Sequence, residues 1–257
     1  MSQTNLYGLM LVGWFILLAV AELLWRPRGA ERAVSSDNRL VTNFGLAMLI
    51  LSVGALFPLA GIASSAFAQR LDVGLARHIG LPWIAIFALL LISDSFAGYW
   101  AHRLMHRAPL LWRVHRVHHA DELVDVSTSL RNHPLEMVVT LPTSAMVILA
   151  VGAPVSAVAI LQTLLVGSAI WQHADIALPQ RIDRALSIVF VTQRVHRTHH
   201  SPDRAKHDSN YGELLTIWDR LFGTFGWAEG REPAGLNRQI AAPDKLLQQI
   251  WSPVYGT

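Results

Sequence analysis

The sequence predicts an all-α fold: a polytopic integral membrane protein of about four to five spans, with a histidine-rich cap on one side. Hydrophobic residues make up 52% of the 257 residues and charged residues only 15%, whereas soluble domains average about 25% charged residues. The mean hydropathy is +0.35, and apolar residues occur in runs long enough to cross a bilayer. Eight of the twelve histidines fall in three short clusters.

Five apolar runs are candidates for membrane-spanning helices, because each approaches the ~20 residues that cross the hydrocarbon core. They cover residues 6–25, 40–63, 81–100, 135–151 and 155–171. We expect the first to be a retained span, since residues 1–5 carry no charge and a signal peptide begins with a basic segment. Pro58 predicts a kink or late break in the second run. The sequence Gly152-Ala153-Pro154 leaves the last two runs open as two spans or one re-entrant hairpin.

Shorter elements follow these runs. Residues 181–193 predict a segment along the membrane interface, and residues 213–222 and 242–251 each predict a short amphipathic helix. We therefore divide the chain into three parts: N-terminal membrane spans (1–80), a central histidine-bearing domain (81–230) and a C-terminal amphipathic tail (231–257).

The arginines in the short loops predict the orientation, because loops rich in Lys and Arg remain on the cytoplasmic side. Arginines are frequent after the first, third and fifth runs and sparse after the second and fourth. With five crossings, this alternation places the N-terminus outside and every histidine cluster on the cytoplasmic side.

Composition also excludes several classes of site. The chain contains no cysteine, which excludes disulfides, iron–sulfur clusters and thiol nucleophiles. The pI of about 9.7 comes from arginine and suits contact with anionic lipid headgroups. Because the basic residues lie among the histidines and at the ends of the runs, and not on one polar stripe, we expect no nucleic-acid partner.

The three histidine clusters read His102-Arg-Leu-Met-His106, His115-Arg-Val-His118-His119 and His196-Arg-Thr-His199-His200. Residues i, i+3 and i+4 share one helix face, so each cluster presents two or three imidazoles to one point. Neutral imidazole is a common metal ligand, and a zinc site needs only three or four protein ligands. Eight histidines are too many for one ion, so the pattern predicts two metal ions held close together. The alternative is a set of solvated interfacial histidines beside arginine, which the repeated H-x-x-H-H spacing disfavours.

The identity of the metal follows from the available ligands. Imidazole suits zinc, copper, iron and nickel. A metal pair beside a membrane, without a hydrolytic serine or carboxylate motif, favours iron, because iron can activate O₂ to attack an unactivated C–H bond and zinc cannot.

These motifs resemble the fatty acid hydroxylase and sterol desaturase superfamily, the membrane histidine-box di-iron oxygenases. The flanking sequence resembles that family too, in Asp94 and Tyr99 before the first cluster, LW-x-x-H at 111–115, HP-x-E at 133–136, NYG at 210–212 and WDRLFGT at 218–224. The resemblance covers residues 90–227, which makes 81–230 a catalytic domain of this kind.

The resemblance implies a cytoplasm-facing centre of two iron ions that uses O₂ and outside electrons to hydroxylate or desaturate lipids. Carried over position by position, it implies nine metal ligands: His102, His106, His115, His118, His119, His173, His196, His199 and His200. For His173, which lies between the second and third clusters, the alternative is a histidine that caps a span at the interface.

Further polar residues are candidates for contact with the ligands. Asp94 is an ionisable group inside a span, which is by default functional and partnered. We expect an arginine or histidine one or two turns away as its partner and a role in orienting a ligand histidine, although ideal helix geometry places Asp94 ~80° from His102. His133 precedes a proline and fits the lining of a cavity or a plain interfacial position. His207 lies in a polar loop, where most histidines are solvated. The acidic residues after the second cluster fit a solvated acidic face better than a ligand contact: Asp121, Glu122 and Asp125.

The sequence thus predicts an O₂-dependent di-iron oxidoreductase that acts on a C–H bond of a fatty acyl, sterol or isoprenoid lipid. One rival is a membrane zinc hydrolase, against which the lack of H-E-x-x-H counts. A second is a non-catalytic metal-binding or transport protein, which would place more ionisable groups within its spans than Asp94. A third is a degenerate relative with a scaffold role, which the intact clusters disfavour.

The expected partners are a lipid from the bilayer and a separate electron donor. The chain lacks a His-Pro-Gly-Gly haem motif, cysteines and G-x-G-x-x-G, so we expect a cytochrome b5-, ferredoxin- or flavin-reductase-type donor on another chain. The short length and the lack of a C-terminal ER-retention signal favour a bacterial inner membrane.

Overall fold

The computed structural model describes residues 3–25, 38–56, 60–236 and 245–255. Within them lie thirteen α-helices and two 3₁₀ helices. The α-helices are α1 (Gln3–Trp25), α2 (Arg39–Leu56), α3 (Ala60–Leu71), α4 (Leu75–His78), α5 (Trp83–Arg107), α6 (Pro109–His119), α7 (Met137–Val151), α8 (Val155–His173), α9 (Gln180–Leu186), α10 (Gln193–His199), α11 (Arg204–His207), α12 (Ile217–Leu221) and α13 (Leu246–Tyr255). The 3₁₀ helices are Val126–Leu130 and Pro134–Glu136. The only β-pairing in these described ranges is one bridge between Phe190 and Leu215, so the all-α prediction is confirmed.

Four helices are long and apolar enough to cross a membrane, judged by length and composition: Gly8–Trp25, Trp83–Arg107, Pro134–Val151 and Val155–His173. This agrees with the four to five spans expected. Of the second apolar run, the structure describes α2 up to Leu56 and α3 from Ala60, and within it Arg39–Val53 is a shorter apolar helix. Pro58, the predicted break, lies outside the described residues. The fourth and fifth runs form separate helices, α7 and α8.

The shorter elements are less extensive than the sequence suggests. Residues 181–193 contain α9 and an irregular stretch before α10. Of residues 213–222, only the five residues of α12 are helical. The C-terminal helix is α13, and residues 242–244 of the predicted element lie outside the described residues.

The buried core of the helical bundle lies between α5, α7 and α8, where Leu90, Ile148, Val158 and Leu161 pack together. Lipid tails are as apolar as these side chains, so close packing holds such helices together more than transfer from water does. This packing fixes the ends of α5 and α8, which carry histidines.

The turn between α7 and α8 requires glycine. Gly152 has φ +70° and closes α7 by donating its N–H to the carbonyl of Ile148 at 2.9 Å. A Cβ at this position would lie 2.8 Å from the carbonyl oxygen of Val73. The left-handed backbone and the close approach of the chain before α4 both favour a residue without a side chain.

Helix α1 packs against α8 and is held by hydrogen bonds at two levels. The indole N–H of Trp14 donates to the carbonyl of Gly167 at 3.0 Å. One turn from the end of α1, a carboxylate oxygen of Glu22 accepts the backbone N–H groups of Val126 (2.8 Å) and Asp175 (2.5 Å). The first span is thereby connected to the segments around the histidines.

A buried ionic network joins the start of α2 to the segment after α6. Arg39 donates to the carboxylates of Asp121 at 2.6 Å and Asp125 at 2.9 Å, and Asn43 donates to Asp121 at 3.2 Å. Asp121 is only 2% exposed, so the solvated acidic face expected there is wrong for this residue. Burial is tolerated because Arg39 supplies the opposite charge. Glu122 is exposed, as expected.

Candidate metal centre

The structure brings the three histidine clusters together at one end of the helical bundle. The third apolar run continues without a break through His102 and His106, so the first cluster extends a candidate span. Pro109 begins α6, which carries the second cluster, and the third lies on α10 and its C-terminal cap. His173 is the last residue of α8. All nine histidines proposed as ligands are buried.

These nine histidines divide into two groups, and in each group one possible ligand atom per residue lies within 4.8 Å of all the others. The first group contains His102, His106, His115, His119 and His199. The second group contains His118, His173, His196 and His200.

The H-x-x-H-H spacing explains how two helices contribute to both groups. On α6, the i,i+4 pair His115 and His119 faces the first group, and His118 faces the second. The third cluster, on α10, divides in the opposite way. Its i,i+4 pair, His196 and His200, faces the second group, and His199 faces the first. Each helix therefore lies between the two groups and supplies two imidazoles to one and one to the other.

The distances between ring nitrogens fit shared ions. Two nitrogens bound at about 2.1 Å to one ion, at tetrahedral or octahedral angles, lie about 3.0–3.4 Å apart. In the first group the Nε2 atoms of His102 and His115 are 3.0 Å apart. In the second group, three Nε2–Nε2 distances are 3.0–3.1 Å: His118 to His173, His173 to His196, and His196 to His200.

The opposite ring nitrogens of several histidines are held by backbone carbonyls. Nδ1 donates at 2.7–3.0 Å in four cases: His102 to Tyr211, His118 to Arg131, His173 to Ala169 and His199 to Ser209. Such bonds fix the tautomer and orient the ring, and they are usual for metal-binding histidines. With the proton on Nδ1, each Nε2 presents a lone pair to its group.

Other ring nitrogens have no hydrogen-bond partner among the described residues. Among the nine ligand candidates these are both nitrogens of His106 and of His119, Nδ1 of His196 and of His200, and Nε2 of His199. Buried polar atoms are nearly always paired, so these nitrogens indicate a missing partner. Burial, with the neighbouring imidazoles, lowers the pKa of His119 and His199 well below its usual range. The rings are therefore neutral at neutral pH, as metal binding requires, and the donor set fits two metal ions.

Glu136 is a functional candidate that the sequence analysis did not single out. Its carboxylate accepts a hydrogen bond from Nδ1 of His115 at 3.2 Å and another from the backbone N–H of His133 at 3.2 Å. Glu136 thus orients the ring of His115, as backbone carbonyls orient the rings of His102, His118, His173 and His199. The available signal was the HP-x-E segment, in which a glutamate three residues after a cap position returns to the cap backbone.

We expect the substitution Glu136→Ala to weaken metal binding at the first group by about 10–100-fold, because losing the partner of a ligand histidine has effects of this size. Competition with a chelator measures the affinity, and Glu122→Ala, at an exposed acidic position, is the control. Equal affinities in the two variants would contradict the orienting role of Glu136.

Asp94 has a different partner from the histidine or arginine expected. It is buried on α5, and Ser144 of α7 donates to its carboxylate at 3.2 Å. This bond joins two candidate spans. The contacts of Asp94 thus do not match the ligand-orienting role predicted for it.

His133 and His207 lie near the centre in different ways. His133 accepts the backbone N–H of Leu135 at Nδ1 (3.2 Å) and donates from Nε2 to the carbonyl of Ile250 (3.0 Å), so neither nitrogen is available to a metal. His207 is half-buried and stacks on Trp112 with ring centroids 5.2 Å apart. With Asp208 and one member of the first group, His106, it forms a third set of possible ligand atoms.

A cavity of about 290 Å³ opens onto both groups. Five of the nine histidines line it, together with apolar side chains from α2, α5, α7 and α8: Ile50, Met105, Met137 and Leu165. Along α8 it extends from His173 to Leu165, eight residues or about 12 Å. This part of α8 is a candidate span, so the cavity connects the histidines with the level of the lipid chains.

Glu213, also absent from the sequence-based candidates, lies on the wall of this cavity. Its carboxylate is close to α5, because a Cβ on Gly98 would lie 3.3 Å from its Oε2. The residue as a whole is exposed, although protein atoms surround its carboxyl group. Burial, together with the negative charges of Asp94 and Glu136, raises the pKa of Glu213 to about 7.

Comparison with known proteins agrees with this geometry. Residues 87–224 match the family model for fatty acid hydroxylase. The ornithine lipid hydroxylase OlsE of Rhizobium tropici is 28% identical over 84% of this chain and 63% of its own length. The alkylglycerol monooxygenase of Homo sapiens is 29% identical over 70% of this chain and 41% of its own length. The chain thus spans less than two thirds of the length of these relatives. No solved structure matches it. Because the family model covers more than half of the residues, including all nine histidines, the chain belongs to the fatty acid hydroxylase family.

Proposed function

We propose that this protein is a membrane-bound, di-iron, O₂-dependent oxidoreductase that hydroxylates or desaturates a C–H bond of a lipid. The observation that carries the proposal is the cavity that extends from two groups of buried histidines into the candidate span α8. The similarity to an ornithine lipid hydroxylase and an alkylglycerol monooxygenase supports a lipid substrate and an oxidative reaction.

The nine histidines would hold the two ions, five at the first group and four at the second. Bound there, iron would supply the activation of O₂ that attack on an unactivated C–H bond requires. The residues of the chain supply the rest. Met105, Met137 and Leu165 offer an apolar wall that excludes water and aligns a lipid chain with the histidines. Glu136 and Glu213 place carboxyl groups beside a ligand set that has none of its own, and the pKa of about 7 leaves Glu213 partly protonated at neutral pH.

In this proposal the electrons come from a separate cytochrome b5-, ferredoxin- or flavin-reductase-type donor. The protein lies in a bacterial inner membrane, and the metal centre is on the cytoplasmic side. The arginine pattern of the loops supports this orientation when α2 and α3 together are counted as the second of five crossings. A label that reacts only from the periplasm should therefore leave residues beside the histidines unmodified in intact cells.

Metal analysis of the detergent-purified protein tests the proposal. We expect close to two iron ions per chain and the Mössbauer spectrum of a coupled pair, because the donor set forms two adjacent groups. Two zinc ions and no iron, even after growth in iron-rich medium, would favour the zinc hydrolase instead. Folded protein without stoichiometric metal would contradict both.

Turnover is the second test. Purified protein in bilayers, with a reductase and isotopically labelled O₂, should yield lipids that carry one labelled oxygen or have lost two hydrogens, as mass spectrometry can resolve. Equal product formation without O₂ would contradict an oxygenase.

A further inference from the structure

Helix α13 exposes apolar side chains and buries polar ones. Leu247, Trp251 and Val254 are 70%, 53% and 63% exposed, and their i, i+4, i+7 spacing places them on one face. On the opposite face, Gln249 and Ser252 are 1% and 6% exposed. A helix on the surface of a soluble protein buries its apolar stripe. The outward stripe of α13 therefore indicates an apolar environment outside the protein.

Polar contacts hold α13 in this rotation. Arg116 on α6 donates to the carbonyl of Ser252 at 2.8 Å. His133 donates to the carbonyl of Ile250 at 3.0 Å. Both donors lie on the protein side of the helix, so turning the apolar stripe inward would break both bonds and leave buried polar groups unpaired.

The stripe of α13 continues the apolar surface of α2. Leu246 packs over Gly45, where a Cβ would lie 2.6 Å from its Cδ2 atom. Gly45 is six residues from the start of α2 at Arg39, about 9 Å along the helix. Beside this contact, α2 exposes the large apolar side chains Leu40, Phe44 and Met48.

We propose that α13 lies in the surface of the lipid bilayer, with Leu247, Trp251 and Val254 among the lipid chains. The continuity with α2 supports lipid as the occupant, and tryptophan is enriched at the boundary between membrane and water. Because His133 both lines the cavity and holds α13, this placement brings one wall of the cavity to the level of the headgroups. Its meaning for substrate entry rests on the proposed function, whereas the position of α13 does not.

Spin labels on single cysteines test this placement, because the chain has no cysteine of its own. Leu247→Cys and Val254→Cys would be labelled in nanodiscs of phosphatidylcholine and phosphatidylglycerol. Relaxation by O₂, which concentrates in lipid, is compared with relaxation by a water-soluble nickel chelate. Leu17→Cys, on the exposed side of α1, is the lipid reference, and Glu229→Cys, at an exposed polar position, is the aqueous reference.

We expect both α13 labels to be more accessible to O₂ than to the nickel chelate, as Leu17→Cys is, but at the shallower depth of about 5–10 Å that interfacial helices occupy. Access of the nickel chelate equal to that at Glu229→Cys would overturn the placement. Labels shielded from both reagents would indicate a second copy of the chain or another protein, and would overturn it as well. No readout depends on turnover or metal content, so failure of this inference and failure of the oxygenase proposal are distinguishable.

Discussion

The substitution His173→Ala is expected to remove one of the two proposed metal ions and to abolish the proposed lipid oxidation. The second group has only four histidines, so losing one leaves three. His173 is also central in that group, because its Nε2 lies 3.1 Å from that of His118 and 3.0 Å from that of His196. Removing a residue that only hydrogen-bonds to a metal ligand already weakens metal affinity or activity by about 10–100-fold. We expect the loss of a ligand to exceed the upper end of that range.

The measurements are iron per chain and turnover, each compared with two control variants that also remove a histidine. His78→Ala changes an exposed histidine on α4. His133→Ala changes a cavity-lining histidine whose two ring nitrogens are both bonded to the backbone, and it should retain both ions. Two ions in the His173→Ala protein would refute its assignment as a ligand and would favour the interfacial cap considered as the alternative.

The sequence was sufficient to identify the histidines proposed as ligands, but not to assign each of them to one of the two groups. Helical spacing predicts that His115, His118 and His119 share a face, which is a local property of α6. Their division between two groups depends on α10 lying across the same point with the opposite assignment. That relation is tertiary, and no spacing within one segment encodes it.

The same limit applies to the polar partners. Glu136 follows its histidine partner, His115, by 21 positions, and Asp121 pairs with an arginine 82 positions away. Charge patterns along the chain do not reveal such pairs. The spans were easier, because a bilayer requires about 20 apolar residues in sequence order. For α13 the amphipathic pattern was visible, but which face is buried depends on what surrounds the helix.

The substitution Asp121→Ala is expected to destabilise the fold strongly, because it leaves the guanidinium of Arg39 buried with one carboxylate fewer. Removing one partner of a buried ion pair costs about 3–5 kcal/mol. We expect about 3 kcal/mol, the lower end of this range, since Asp125 remains bonded to Arg39 at 2.9 Å. The unfolding temperature in detergent should fall accordingly, and the contact of α2 with the 3₁₀ helix Val126–Leu130 should loosen first.

The chain offers a matched control for this prediction. Arg77 and Asp72 form an ion pair with the same 2.6 Å distance, but the side chain of Asp72 is 68% exposed. Water and salt screen such a pair, and asparagine tolerates the left-handed backbone at this position (φ +53°), so Asp72→Asn should leave the unfolding temperature nearly unchanged. Equal shifts in the two variants would show that distance, and not burial, determines the contribution of an ion pair here. A large shift for Asp121→Ala alone would identify the network around Arg39 as the link that keeps α2, and with it one wall of the cavity, in place.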